Sequence, residues 1–186
     1  MLFRSGTSET AVISLGGVVA LEAIRVGSFD IDAAIQTYVR REHGIAIGER
    51  TAEEIKIQIG TAAPMPNERG AQVRGRDLVT GLPKTIVIST EEIREAIEEP
   101  VSAIVDAVKV TLDKTPPELA ADIMSKGIVV TGGGALLHGL RERLTDETGM
   151  PIVIADNPLY SVVHGSGQCL ENFDVLKHVL ISSAHQ

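Results

Sequence analysis

Apolar positions along this chain follow two rhythms, one alternating and one helical, with glycine and proline marking the changes between them. Thr10 to Leu15 alternates as a strand, Gly16-Gly17 gives a hairpin signal, and Val18 to Val26 reads as the returning strand. From Ser28 the period lengthens: Ile31, Ala34, Ile35, Tyr38 and Val39 stand at helical spacing. This predicts a helix capped by Ser28, with Arg40, Arg41 and His43 at its negative end and Gly44 closing it. A second helix is predicted over Thr51–Ile59, with Thr51 as N-cap and Glu53 and Glu54 in the first turn.

The character then changes. Pro64 and Pro66 frame a loop, and Ala71–Arg76 and Lys84–Ile88 read as strands around a Gly81-Leu-Pro83 turn, a small β-containing inset. Ser89 and Glu92 stand at capping-box spacing, so a helix opens there. Pro100 breaks it and restarts a second piece, whose inner face is Val101, Ile104, Val105, Val108 and Leu112. Pro116-Pro117 begins a short helix that ends at Gly127. The run Gly127-Ile-Val-Val-Thr-Gly-Gly-Gly-Ala135 then reads as a strand entering a glycine turn. A helix over Leu136–Thr148 follows, with Leu137, Leu140, Leu144 and Thr148 inward and Gly149 as its C′ residue. Ile152–Ile154 is a short strand, and Asn157-Pro158 starts a helix whose Gly165, Ser166 and Gly167 suit close packing. The tail from Ser182 is expected to fray.

Strands alternating with helices, and a core of Val, Ile, Leu and Ala with only 3% aromatics, point to an α/β fold over 186 residues. The net charge of −8 argues against nucleic acid as a partner. A single cysteine permits no internal disulfide, no Cys/His cluster has metal spacing, and no apolar run reaches the ~18 residues of a membrane span. These features predict a soluble, cytoplasmic protein.

Neither a Walker loop nor a Gly-x-Gly-x-x-Gly turn is present, and His164-Gly-Ser-Gly167 is not a nucleophile elbow. The carboxylate pairs Glu53/Glu54, Glu91/Glu92 and Glu98/Glu99 read as helix-dipole partners, His138 as a surface residue and Cys169 as a packed thiol. No catalytic residue and no metal ligand is assigned. Two elements remain as candidate ligand contacts. At Gly132-Gly-Gly-Ala135, missing side chains let an adenine or ribose lie against the backbone. Along Thr51–Lys56, the residues Glu53, Glu54 and Lys56 offer a polar face for ribose hydroxyls. Gly6-Thr7-Ser8-Glu9, before the first strand, is compatible with a phosphate-gripping hairpin.

Three stretches carry a resemblance: Ile47-Gly-Glu-Arg-Thr-Ala-Glu-Glu-Ile55, Thr115-Pro-Pro-Glu-Leu-Ala-Ala-Asp-Ile123 and Val130-Thr-Gly-Gly-Gly-Ala135. From Gly6 to about Leu180 the chain resembles the MreB family of bacterial actin homologues, in the actin/Hsp70/sugar-kinase superfamily. The resemblance implies an actin-like (ribonuclease H-like) ATPase lobe with a small α+β inset. It divides the chain into residues 6–26 plus 99–186, the inner part of the second lobe, and residues 27–98, the inset. It also implies a two-lobed parent that binds ATP with Mg2+ in the cleft. That parent self-associates into filaments and works with the cell-wall elongation machinery, cytoplasmic but associated with the inner membrane. By resemblance Gly132, Gly133, Gly134 and Ala135 form the adenosine turn. Ala52, Glu53, Glu54 and Ile55 contact base and ribose, and Gly6 ends the second phosphate loop.

The chain departs from that pattern at Leu2, Arg4 and Ser5, where the family has Asp, Gly and Gly. Met1-Leu-Phe-Arg-Ser5 also reads as translated sequencing adapter, so the native sequence is expected to begin near Gly6, with the family's first lobe absent. A lone lobe is expected to bind ATP weakly, to leave it intact and to expose an apolar inter-lobe face. The alternative is a lobe of an Hsp70-like chaperone or of a small-metabolite kinase of the same superfamily.

Overall fold

A computed structural model describes residues 6–174. The readings at Met1–Ser5 and from Ser182 onward lie outside the described residues. The chain opens with a hairpin of β1 (Ser8–Ser14) and β2 (Gly17–Ile24), antiparallel, with Val19 as the extra residue of a bulge between the Val12↔Ala20 and Ile13↔Val18 pairs. Its turn places Leu15 at φ 50° and Gly16 at φ 79°, the two positive values a type I′ turn needs. Glycine adopts this freely, but leucine does not, and the Leu15 side chain is fully exposed with no packing to offset the strain. Replacing Leu15 by Asn should therefore stabilise the chain by about 1 kcal/mol, read as a higher urea midpoint.

Helices α1 (Ser28–His43) and α2 (Glu49–Ile59) follow, flanking the two-residue β3 (Ile45–Ala46). Ile31, Ile35, Tyr38 and Val39 are buried as the periodicity predicts, and Gly44 closes α1 in the left-handed region. The caps differ from expectation. Gly27, not Ser28, is the N-cap of α1, and its amide donates to Asp30 Oδ2 at 2.7 Å. Gly48, not Thr51, caps α2, which puts Glu49 rather than Glu53 and Glu54 in the first turn.

β4 (Gly70–Asp77) and β5 (Pro83–Ser89) complete a three-stranded sheet in the order β3-β4-β5. The Ser89/Glu92 capping box forms in both directions and starts α3 (Thr90–Ala96). α4 (Glu98–Asp113) restarts with Pro100 in its first turn, where a missing N–H costs nothing. α5 (Pro117–Lys126) leads to β6 (Ile128–Val130), which pairs in parallel with β7 (Ile152–Ile154). α6 (Leu140–Thr148) lies between them, and α7 (Ser161–Glu171) ends the described chain.

Two further expectations need correction. The predicted helix over Leu136–Thr148 is broken: Gly133–Leu136 forms a single 3-10 turn, and the α-helix begins only at Leu140 with Gly139 as N-cap. Asn157, at φ 51°, makes a turn, so α7 starts at Ser161 rather than at Asn157-Pro158. Among the described residues nothing packs closely on Gly165 or Gly167. Neither has an atom of the described residues within 4 Å of where a Cβ would stand, and no residue of α7 is buried among them.

A continuous core joins these elements. Ile35 and Val39 of α1, Ile55 and Ile59 of α2, Val73, Ile88, Ile93 and the α4 residues Val101, Val105 and Val108 connect through Leu140 and Leu144 of α6 to Ile152. α4 is the hub, touching β1 and β2 on one side and α6 on another.

Candidate functional site

The glycine turn begins where β6 ends. Gly132 has φ 89° and ψ 170°, a region open essentially to glycine alone. Its amide donates to Pro158 O at 3.0 Å, and the Thr131 hydroxyl donates to the same carbonyl at 3.3 Å, so the turn is held from the β7–α7 connection. Ala135 is buried and Gly133 lies close under Leu159 Cδ2, which fixes the inner side. The outer side is bare: among the described residues no atom comes within 4 Å of a Cβ position on Gly132 or Gly134. The amides of Gly133 and Gly134, first in the 3-10 turn, have no intrahelical acceptor and donate to none among the described residues. Two free N–H groups beside an open surface suit an acceptor-bearing ring or an anion.

α2 carries the second set. At about 100° per residue, the adjacent residues Ala52, Glu53, Glu54 and Ile55 cannot share a face. Ala52 and Ile55 are buried in the core, so they set the position of the helix. Glu53 and Glu54 are exposed on opposite flanks, Glu54 paired with Arg50 at 3.1 Å and Glu53 on the side of Asp32. Lys56 is not on a shared polar face with Glu54. Its ammonium is nearly buried, 2.8 Å from Asp32 Oδ1, and donates to Asp32 Oδ2 at 3.0 Å and to the Ser28 hydroxyl at 2.5 Å. Burial raises the Asp32 pKa above the usual carboxylate value; hydrogen bonding and charge from Lys56 offset this only in part.

Sequence reasoning leaves Asp32 out and marks Ser28 only as a cap, not as a partner of Lys56. Asp32 lies on the same stripe as Ile35 and Val39, and a carboxylate on an inner stripe implies a buried cation.

The C-terminal end of α2 brings the separate pieces into one neighbourhood. Lys56 grips Ser28 at the start of α1, and Ser8 Oγ donates to Val26 O at 2.7 Å, so Gly6 and Thr7 stand at that same end of the hairpin. Beyond its C-terminus, Thr61 forms a parallel bridge with His138, and Ala62 N donates to His138 O at 2.7 Å. That contact sits three residues past the glycine turn. His138 is exposed, and its backbone makes the contact. Gly6 has open space at its Cβ position, whereas Leu2, Arg4 and Ser5 of the expected phosphate loop lie outside the described residues.

Residues 3–178 match the family model described as MreB/Mbl protein. This chain belongs to the MreB/Mbl family. The match sets aside the chaperone and metabolite-kinase readings and fits the actin-like fold. Among MreB/Mbl relatives, the cell shape-determining protein MreB of Escherichia coli K12 is 50% identical over 170 residues, 91% of this chain and 49% of that one. The cell shape-determining protein Mbl of Bacillus cereus is 46% identical over 171 residues, 92% of this chain and 51% of that one. The crystal structure of MreB5 of Spiroplasma citri bound to ADP superposes with TM-score 0.86 at 41% identity, covering 94% of this chain and 53% of that one. The chain thus spans about half the length of the MreB/Mbl relatives it matches. Among the described residues no helix is long and apolar enough to cross a membrane.

Proposed function

We propose that this chain supplies the adenosine-binding half of an ATP site in a filament-forming cell shape-determining protein. The observation that carries the reading is the bare outer side of the Gly132–Ala135 turn, with two uncommitted amides. Absent side chains make room for the base and ribose, and the amides of Gly133 and Gly134 meet their acceptors. In this reading Glu53 is the α2 carboxylate that meets the ribose hydroxyls, with Ala52 and Ile55 anchoring the helix behind it and Glu54 on the far flank. Gly6 marks the phosphate end. In this reading an adenine nucleotide lies against these residues, and Mg2+ accompanies its phosphates.

In this reading residues 27–98 are an inset on an inner part made of residues 6–26 and 99–186. The assembled protein self-associates into filaments, lies under the inner membrane and serves the cell-wall elongation machinery. The exposed Leu159, Tyr160, Val162 and Val163 are consistent with surface that such an assembly covers.

Isothermal titration tests the base-end reading. These 186 residues should bind ATP and adenosine with affinities within about threefold of each other, because their contacts are to the shared nucleoside, and should not turn ATP over. Gly134→Val should keep the fold, since its side chain enters open space, and weaken both ligands at least about tenfold. Unchanged binding by that variant overturns the site; tight, ATP-selective binding with turnover overturns the base-end reading.

A further inference from the structure

The central strand of the β3-β4-β5 sheet is paired along the whole of one edge and over only two residues of the other. On the β5 side the ladder runs from Gly70↔Ser89 to Arg76↔Pro83, with hydrogen bonds from Asp77 N to Leu82 O and from Thr90 N to Arg69 O. In an antiparallel ladder such pairs alternate, so Ala71, Val73, Gly75 and Asp77 hydrogen-bond toward β5. The even residues point the other way. On that side β3 meets only Arg76 and Asp77, with Leu78 N donating to Gly44 O at 2.9 Å. The backbone N–H and C=O groups of Gln72 and Arg74 therefore face an edge with no strand on it.

That edge opens into a cleft rather than flat surface. A cavity of about 350 Å³ separates it from α2, lined by Thr51, Glu54 and Gln58 of the helix and Gln72 and Arg74 of the strand. From Gly70 to Arg74 the open edge measures roughly 13 Å, four steps of about 3.3 Å. The side chains of Thr51, Gln58, Gln72 and Arg74 make no hydrogen bond or ion pair among the described residues. Glu54, the acid of the lining, is held by Arg50 at 3.1 Å. Arg74 and Arg76, on one face of β4, have no counter-ion among the described residues, so the edge is locally positive on a chain of net charge −8.

We propose that the cleft between α2 and β4 is a β-augmentation site that takes an extended, carboxylate-bearing segment of a partner protein. The segment adds to the open edge beyond the end of β3, exchanging backbone hydrogen bonds with Gln72 and Arg74. Its carboxylate meets the Arg74 guanidinium, and Thr51, Gln58 and Gln72 supply the remaining polar contacts. Edge strands left open are generally guarded by charge or cover. Here the cationic guard repels basic segments and admits acidic ones, so the same residues that prevent indiscriminate pairing select the partner.

The probe is the capped peptide acetyl-Val-Thr-Glu-Val-Thr-amide, titrated into the isotope-labelled full chain and followed by amide spectra. We expect saturable shifts at low-millimolar peptide, centred on the amides of Gln72 and Arg74 and on the Thr51–Gln58 face of α2. A peptide with Lys in place of the central Glu should bind at least about tenfold more weakly, and R74E should invert that preference. Q72P removes one N–H from the open edge while leaving the β5 ladder intact, and should abolish binding with the rest of the spectrum unchanged. Absence of shifts, shifts elsewhere, or binding indifferent to peptide charge and to both substitutions overturns the proposal.

Discussion

Replacing Lys56 by methionine is expected to destabilise the fold by about 3–5 kcal/mol in urea unfolding, whereas combining it with Asp32→Leu should restore most of the loss. The single variant leaves the Asp32 carboxylate, only 6% exposed, without its cation. The double variant removes both desolvation costs and puts aliphatic groups beside Ile35 and Ile55. The pH dependence distinguishes this from a generic packing defect. Asp32 has its pKa raised on folding, chiefly by burial, so the native state holds that proton more tightly than the unfolded chain. Its contribution to stability is complete below the ordinary carboxylate value of 3.8 and is lost as pH rises through the raised native value. From that lower limit upward, the wild-type chain should lose ground relative to the double variant. Parallel pH profiles would show that the pair is not the source.

The second large effect belongs to Gly139→Ala, expected to cost about 3 kcal/mol. Gly139 sits at φ 72°, and a Cβ there would lie 2.7 Å from Ala63 N and 2.8 Å from Thr61 Oγ1. One of those neighbours is backbone and the other is the hydroxyl of a fully buried threonine, so neither gives way easily. Gly149→Ala is the matched control. It has a similar φ of 69° but nothing within 4 Å, so only the backbone strain of about 1 kcal/mol applies. The difference between the two isolates the docking of residues 61–63 onto the start of α6. Because that docking sets the path of the chain leaving the glycine turn, Gly139→Ala should also weaken adenosine binding, while Gly149→Ala should leave it unchanged. Equal stability of the two variants would show that the docking contributes little.

What could be read from the residues was local. The stripe Ile31, Ile35, Tyr38, Val39 gave α1, the Ser89/Glu92 spacing gave the start of α3, and Gly81 and Pro83 gave the turn between β4 and β5. The N-caps Gly27 and Gly48 leave no side-chain signal, so the hydroxyls of Ser28, one residue on, and Thr51, three residues on, read as the caps instead. The Ser28 hydroxyl has a different job, accepting from Lys56. The broken helix at Leu137–Gly139 was also out of reach. Periodicity runs smoothly through those residues, and the break comes from a contact with Thr61 and Ala63 far away in the chain. At the candidate site the glycines announced themselves, whereas the division of Ala52–Ile55 into buried and exposed residues depended on which way α2 turned. The direction in which β4 leaves its edge open depended on how short β3 proved to be.

The bridge between Thr61 and His138 also bears on the order in which the molecule assembles. It closes a loop of 77 residues (138 − 61) with little more than one backbone hydrogen bond at Ala62 N. Chain closure over that length costs roughly 4 kcal/mol in entropy, more than one such bond returns. The bridge therefore forms late, after α4 and α6 have packed and brought its two ends together. By the same reasoning it is an early contact to open, ahead of the helices behind it. The Ala62 amide should exchange with deuterium by local opening rather than global unfolding, and ligand at the glycine turn should slow it.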